Sequence, residues 1–498
     1  MKTTYCFITL LTVLSFKTVA QESDSTKWDY QLSLSAGAIG ATENYLPHYL
    51  VFNRWGIVDE NQDAFISGTG GVQYNWAKNW SVSSAVNFRN DQFANLYAQL
   101  KFKDWYFIAG KKQLFYGDEP TDLSSGTLGI GPNSKPMPML EIRLDEYKNV
   151  PFTKGYLKFK GNFGHRWMEK DRHISQAMVH SKSFYGMLDL DKEIGLKISS
   201  GVIHFGQYGG TSPSGEKQPQ SFDDYIRVVL GQGIPNANRN QGEGNALGNH
   251  LGLTEITFDK RLGDHRLKLN YQKQFEDEGS IQYIHLKEYF VSLEWTLPKK
   301  GFLTKARIEV LNSKHQSGSG IPDPTDKYPT REANMGQKFG ERDDNYNNWL
   351  YNSGWTYNGL AIGNSMFLTY QRTLNYLAPY PDYSVAFSNN RISAIHLGLE
   401  GFFGDKIGYR AMFTNTNNFG TYAGLYEGRF NWEGVKTNPD FEYVFKDGKI
   451  QNYSLIALDF FDPFDKLPLD IHLLMGYDFG QLYNNFGAEV SVSYNFFN

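Results

Sequence analysis

Cysteine is all but missing from this chain: Cys6 is the only one in 498 residues. It lies in the opening stretch "MKTTYCFITLLTVLSFKTVAQESDS", so the remainder can hold no disulfide framework, no thiol catalyst and no cysteine-ligated metal. A basic surplus is missing too. With 49 Lys plus Arg against 53 Asp plus Glu the charge is near balance, which argues against a nucleic-acid partner. Beyond the first residues there is no long apolar run, and mean hydropathy is -0.49. That excludes a polytopic helical membrane protein. It does not exclude a membrane barrel, whose outward apolar and inward polar residues average out along each strand. Catalytic signatures are also missing: no HExxH, P-loop, complete GxGxxG or GxSxG. "GIGPNS" (129–134) and "GQGIPN" (231–236) lack the third glycine or the lysine of a phosphate loop and read as turns. No spacing ties a histidine such as His180, His204, His250 or His396 to a nucleophile. The expectation is a protein that is not an enzyme and carries no cofactor and no metal.

What is present begins with Lys2, an apolar stretch from Tyr5 to Phe16, and small residues at Thr18 and Ala20. This reads as a secretory signal peptide over residues 1–20, cut after Ala20. An anchoring helix is the alternative, but the stretch falls short of the roughly 20 residues that a span needs. Aromatics abound, with 36 Phe, 32 Tyr and 10 Trp, alongside 49 Gly.

The carboxyl-terminal "AEVSVSYNFFN" (488–498) alternates Val490, Val492, Tyr494 and Phe496 with Glu489, Ser491, Ser493 and Asn495. A period of two is the mark of a strand. The same alternation recurs in about 18 segments, from 27–38 through 105–112, 153–161 and 364–371 to 487–496. Tight turns such as Lys103-Asp104 and Gly263-Asp264 join some of them. Long Gly-, Asn- and aromatic-rich stretches join others, near 113–152, 205–250, 313–363, 372–392 and 416–450. The fold class expected is all-β: a transmembrane antiparallel β-barrel of about 18 strands over 21–498, with short periplasmic turns and long extracellular loops.

Energetics decides which face meets lipid. In "LTKARIEVL" Lys305, Arg307 and Glu309 share one face, and a basic side chain at the bilayer midplane costs about 2–4 kcal/mol. The charged row therefore belongs inside. The same logic gives Lys101, Arg266, Lys268, Glu288, Glu294, His396, Glu400, Arg410 and Glu489 to the lumen. The last segment then closes the barrel, and its terminal aromatic is the feature that the outer-membrane barrel assembly machinery of Gram-negative bacteria commonly reads. The localisation expected is the outer membrane, with its lipid as a partner.

Two stretches are candidates for binding. "DDNYNNWLYNSGWTYNGLAIGNS" (343–365) sets Trp349, Tyr351, Trp355 and Tyr357 among amides and acids. Rings stack on apolar sugar faces while amides and acids hold hydroxyls; the alternative is an interfacial aromatic girdle and, for Trp355 and Tyr357, packing inside the barrel. "HRWMEKDRH" (165–173) is a solvated strand end or an anion contact, since its basic neighbours would repel a metal cation. Arg143, Arg166 and Arg372 are candidates for acidic sugars, because the guanidinium fork binds carboxylates bidentately.

Several segments resemble the capsule assembly Wzi family as it occurs in Bacteroidetes: "LPHYLVFNRWG" (46–56), "LSSGTLGIGPNSKPMPMLEI" (123–142), "VHSKSFYG" (179–186), "SFDDYIRVVLGQG" (221–233), "YNSGWTYNGLAIGN" (351–364) and "NNRISAIHLGLEG" (389–401). The resemblance implies an outer-membrane barrel acting as a surface lectin that attaches or organises capsular or exopolysaccharide. Enterobacterial members carry a helical bundle as well, for which this chain leaves little room at its amino terminus; a plug would have to come from 41–66 or from a loop. The rival reading is a porin or substrate-specific channel, for which a one-sign charge ladder in the lumen would speak.

Overall fold

Alternation makes strands that cannot satisfy their edges alone, and closure is the solution. The computed structural model describes residues 27–496 except 62, 119–122, 235–245, 277–286, 315, 317–343, 379–385, 422–443, 446 and 465–467. The expected signal peptide, Cys6 and parts of the expected loops lie outside the described residues. Eighteen antiparallel strands form the wall: β1 (Trp28–Ala41), β2 (Ala64–Ala77), β3 (Trp80–Arg89), β4 (Gln92–Phe102), β5 (Trp105–Lys111), β6 (Met139–Asn149), β7 (Leu157–Trp167), β8 (Met178–Leu190), β9 (Leu196–Tyr208), β10 (Asn249–Leu262), β11 (His265–Phe275), β12 (Tyr289–Thr296), β13 (Lys305–Asn312), β14 (Ile392–Phe403), β15 (Ile407–Asn418), β16 (Lys449–Phe460), β17 (Leu469–Gly480) and β18 (Asn485–Asn495). Each strand pairs with its neighbours in the chain. β18 closes on β1 with Ser35 opposite Ser493, their hydroxyls 2.8 Å apart.

The register sorts residues by face. Leu269, Leu293, Ile308, Leu397 and Phe413 stand side by side on five consecutive strands, all exposed, and make a continuous outer apolar row. One residue along, Arg307, Glu309 and His396 are buried on the inner face. Connections at one rim, the turn rim, are short, as between β2 and β3, β4 and β5, β10 and β11, or β8 and β9, where the one-turn helix α2 (Asp191–Ile194) joins the strands. The segments 42–63, 112–138, 209–248, 313–391 and 419–448 all leave the opposite, loop rim.

Two expectations need correcting. The stretch 113–152, expected as a loop, contains β6; the stretch 364–371, expected as a strand, is no part of the wall. Residues Met366, Phe367 and Leu368 are buried there and lead into the short helix α4 (Tyr370–Thr373).

Segments from the loop rim fold into the barrel. The first carries helix α1 (His48–Val51), whose residues are all buried. Tyr49 Oη meets His396 Nδ1 at 3.3 Å and Thr414 Oγ1 at 2.5 Å, and the His48 ring lies 4.4 Å from that of Tyr453 on β16. The second, 112–138, brings Ser125 and Leu123 to β13 and β14. The third, 344–377, packs Tyr346, Trp355 and Phe367 against them in one apolar core. Wall glycines admit this plug: a Cβ on Gly487 would come within 2.7 Å of Pro47, and one on Gly398 within 2.6 Å of Leu123 O, so a side chain is excluded where the plug backbone approaches.

Candidate functional site

Buried charges are costly unless paired, and here the inner wall pairs them with the plug. Glu309 accepts from Ser125 N at 2.9 Å and Ser125 Oγ at 2.6 Å and from Arg307 Nε at 2.5 Å, while Arg307 also reaches Glu294 at 3.3 Å. His396 Nε2 lies 2.6 Å from Leu123 O. Lys305 stands 3.3 Å from Glu400, and Glu400 faces Arg410 across β14 and β15. Nearer the turn rim Lys268 donates to Asp118 O, Arg266 pairs with Asp259, and the Lys101 ammonium sits 5.2 Å from the Tyr106 ring centre. Charges of both signs interlock along this wall.

Three arginines singled out by sequence have different partners from acidic sugars. Arg166 is buried on Glu141 at 2.6 Å and on the Tyr116 hydroxyl. Arg143 binds Glu141 at 3.0 Å, Asp145, and Phe115 O at 3.1 Å. Arg372 on α4 stands 2.9 Å from Glu60, donates to Leu46 O at 3.0 Å, and lies over the rings of Tyr45 and Phe52. All three act as struts, because each cation is already matched inside the protein. The aromatic stretch divides similarly: Tyr351, Trp355 and Tyr357 are buried packing, whereas Trp349 is 55% exposed. Trp355 and Tyr357 thus lie in the interior, as their alternative reading has it, and Tyr351, for which interior packing was not expected, is buried with them.

Arg372 marks the base of a cleft that sequence reading did not find. Between the first and third inserted segments lies a cavity of 250 Å³, with Phe52, Val58, Leu360 and Phe367 among its apolar lining and Asp59, Glu60, Asn61, Lys135, Asn358, Gln371 and Asn375 around it. Asp59, Asn61, Asn358, Gln371 and Asn375 are exposed. Asp59 to Asn61 precede β2 by only a few residues, which puts the mouth at the loop rim. Asn375 Nδ2 donates to Glu60 Oε2 at 2.7 Å, the same oxygen that Arg372 reaches. Burial holds the half-covered Lys135 ammonium below the usual lysine range, and it donates to Gln92 Oε1 at 2.5 Å. A floor of rings and aliphatics under acids and amides suits a hydroxyl-rich ligand. The partners come from three distant segments, so no local motif could have announced them.

Beside the cleft His48 Nε2 and Ser365 Oγ are 3.1 Å apart, the separation of a serine–histidine dyad. The surrounding bonds assign another role. Ser365 Oγ donates to Ser125 O at 3.1 Å and accepts from Asn53 Nδ2 at 3.4 Å, which leaves His48 as a donor to it rather than its base. Burial, with Arg372 second, holds the His48 imidazole well below the usual histidine range. The contact ties α1 to the third segment. Among the described residues no group of three His, Cys, Asp or Glu is arranged to hold a metal ion.

Neither a protein-family model nor a curated protein matches the chain. Among solved structures it is similar to Wzi of Escherichia coli, described as an outer-membrane protein involved in group 1 capsule assembly and a carbohydrate-binding β-barrel. That match has a TM-score of 0.55 at 13% identity and covers 94% of this chain and 84% of that one. OccK3 of Pseudomonas aeruginosa (TM-score 0.42, 10% identity, 94% and 95% covered) and OmpT of Vibrio cholerae, an outer membrane protein (0.37, 10%, 94% and 97%), are more distant. At these identities the likeness to Wzi establishes the fold: a closed 18-stranded antiparallel barrel of the outer-membrane kind.

Proposed function

We propose that the chain is a non-enzymatic outer-membrane barrel of the Wzi kind, exported by a cleaved signal peptide, whose loop rim faces outward and binds capsular or exopolysaccharide. The observation that carries this reading is the cleft between Asp59–Asn61 and Gln371–Asn375, polar at its mouth and apolar at its floor. Its walls are tied together, because Arg372 and Asn375 hold the first inserted segment through an ion pair to Glu60 and hydrogen bonds to Leu46 O and Glu60; preorganised walls lower the entropy lost on binding. Exposed Trp349 is a further stacking group for a long polymer. The carbohydrate binding named for Wzi of Escherichia coli supports the same choice.

Conduction is the rival role. The plug and the interlocked charges of both signs weigh against it, since a pore needs a continuous aqueous path. The test compares wild type with a deletion strain for cell-attached and shed polysaccharide. Polymer moving to the medium at constant total synthesis supports an anchor. An unchanged partition together with single-channel currents from the purified wild-type barrel would replace it by a channel.

A further inference from the structure

Not all polar residues of the wall point inward. Leu140, exposed on the outer face, is in register with His165, and then across β8, β9 and β10 with His180, Gly206 and His250. The next outer row runs from exposed Phe163 to Lys182 and His204. Four histidines and a lysine thus decorate the outer wall just below the loop rim, where lipid would be costly company.

Helix α3 (Phe222–Leu230) covers them from outside. Val228 packs onto Gly206, where a Cβ would stand 2.6 Å from Val228 Cγ1, and Val228 shares a small buried core with Tyr208 and Leu247. Tyr225 Oη is 3.3 Å from His180 Nδ1. Lys182 donates to Val229 O, His250 Nε2 to Leu247 O at 2.9 Å, and His204 Nε2 lies 2.9 Å from His250 Nδ1. The helix ends are closed by a Ser221–Asp224 capping box and a left-handed Gly231, which satisfies groups that would otherwise need water.

One face of α3 therefore meets the wall, and the other two faces differ. Asp223, Asp224 and Arg227 occupy one side. Phe222, Ile226 and Leu230 follow at steps of four and fall on a single stripe, with Phe222 75% and Leu230 59% exposed. Phe184 and Val202, paired with each other and exposed, form the outer row next to that of Lys182 and His204 on the side away from the loop rim. The apolar outer surface of the barrel thus reaches the rows that the helix covers.

We propose that α3 is an interfacial helix, its Phe222–Ile226–Leu230 stripe embedded in the acyl chains of the leaflet at the loop rim and its charged side turned to water. This rests on the membrane reading above, and adds that the β9–β10 connection is a lipid-docked saddle rather than a free surface loop. Burying such a stripe beside a polar face is the physics of a helix lying in the plane of a membrane.

The test uses single nitroxide labels in a Cys6→Ser background, on the full chain in phospholipid vesicles, with molecular oxygen and a water-soluble nickel chelate as collision probes. Ile226→Cys and Leu230→Cys are the test positions, Asp223→Cys the aqueous reference and Ile395→Cys, on the exposed face of β14, the lipid reference. The expected result is an oxygen-to-nickel collision ratio at 226 and 230 severalfold above that at 223 and close to that at 395. Ratios at 226 and 230 equal to that at 223, with 395 lipid-like, overturn the helix assignment alone. A water-like ratio at 395 overturns the membrane reading with it.

Discussion

Arg54 of the first inserted segment forks onto Glu489 of the closing strand, Nη1 to Oε2 at 2.8 Å and Nη2 to Oε1 at 2.9 Å, and Arg89 of β3 grips the same carboxylate at 3.2 and 3.0 Å. One anion thus joins plug, closing strand and neighbouring wall. Removing it leaves guanidinium groups facing each other, and breaking a buried pair from one side costs about 3–5 kcal/mol; partial exposure of Arg54 points to the low end. Glu489→Ala is expected to unfold at a lower temperature and to show flickering currents in planar bilayers where wild type is silent. Equal stability and silence in the variant would show that the plug is held elsewhere.

A second tether predicts an acid limit. Asp118 accepts from Lys160 at 2.5 Å, from Tyr147 Oη at 2.7 Å and from Ser199. Burial alone would raise its carboxyl, but Lys160 and the hydroxyl donors outweigh it and hold the group below the usual aspartate range. A carboxyl depressed in the folded state stabilises at neutral pH, and that contribution disappears as pH falls through the folded value. Wild type should therefore lose stability below about pH 4 more steeply than Asp118→Asn, in which this site no longer titrates. Parallel stability–pH curves for the two would dismiss the tether.

How far the sequence reaches is seen by comparing two stretches. "MLEIRLDEYKN" (139–149) is β6, yet its alternation is broken by a register shift between Leu144 and Lys148, and the charges Glu141, Arg143 and Asp145 masked it as loop. Residues 364–371 show the converse: Met366, Phe367 and Leu368 carry enough apolar character for a wall strand, but they are buried in the plug. One strand missed and one added left the total near the true number. Period two reports which face a strand buries and not what buries it, so wall orientation is legible; the plug could be expected only as a stretch, 41–66 or a loop, and not in its contacts. The cleft was hidden for a related reason. Its sides come from residues 59–61 and 371–375, far apart in the chain and joined only by folding.

Trp349 and Trp355 separate surface from scaffold within one segment. Trp355 is fully buried against the inserted core, and truncating such a ring costs about 3–5 kcal/mol. Trp355→Ala should lower the yield of folded barrel and its melting temperature, with glycan retention per folded molecule unchanged. Trp349→Ala should do the opposite, keeping stability while shedding more polysaccharide. Loss of stability in Trp349→Ala equal to that of Trp355→Ala would remove Trp349 from the binding surface.

The cleft itself gives the sharpest test. Asp59, Asn61 and Gln371 are exposed and none of them is a strut, so the triple variant Asp59→Ala, Asn61→Ala, Gln371→Ala should fold and melt like wild type. If each contributes one hydrogen bond to a sugar hydroxyl, worth about 0.5–1.5 kcal/mol, together they account for a weakening on the order of ten- to a thousandfold. Titration of the purified barrel with the cell's own polysaccharide measures this directly, and the strain carrying the variant should release polymer to the medium as the deletion does. A wild-type affinity in the folded triple variant would move binding away from this cleft and leave Trp349 and the rest of the loop rim to carry it.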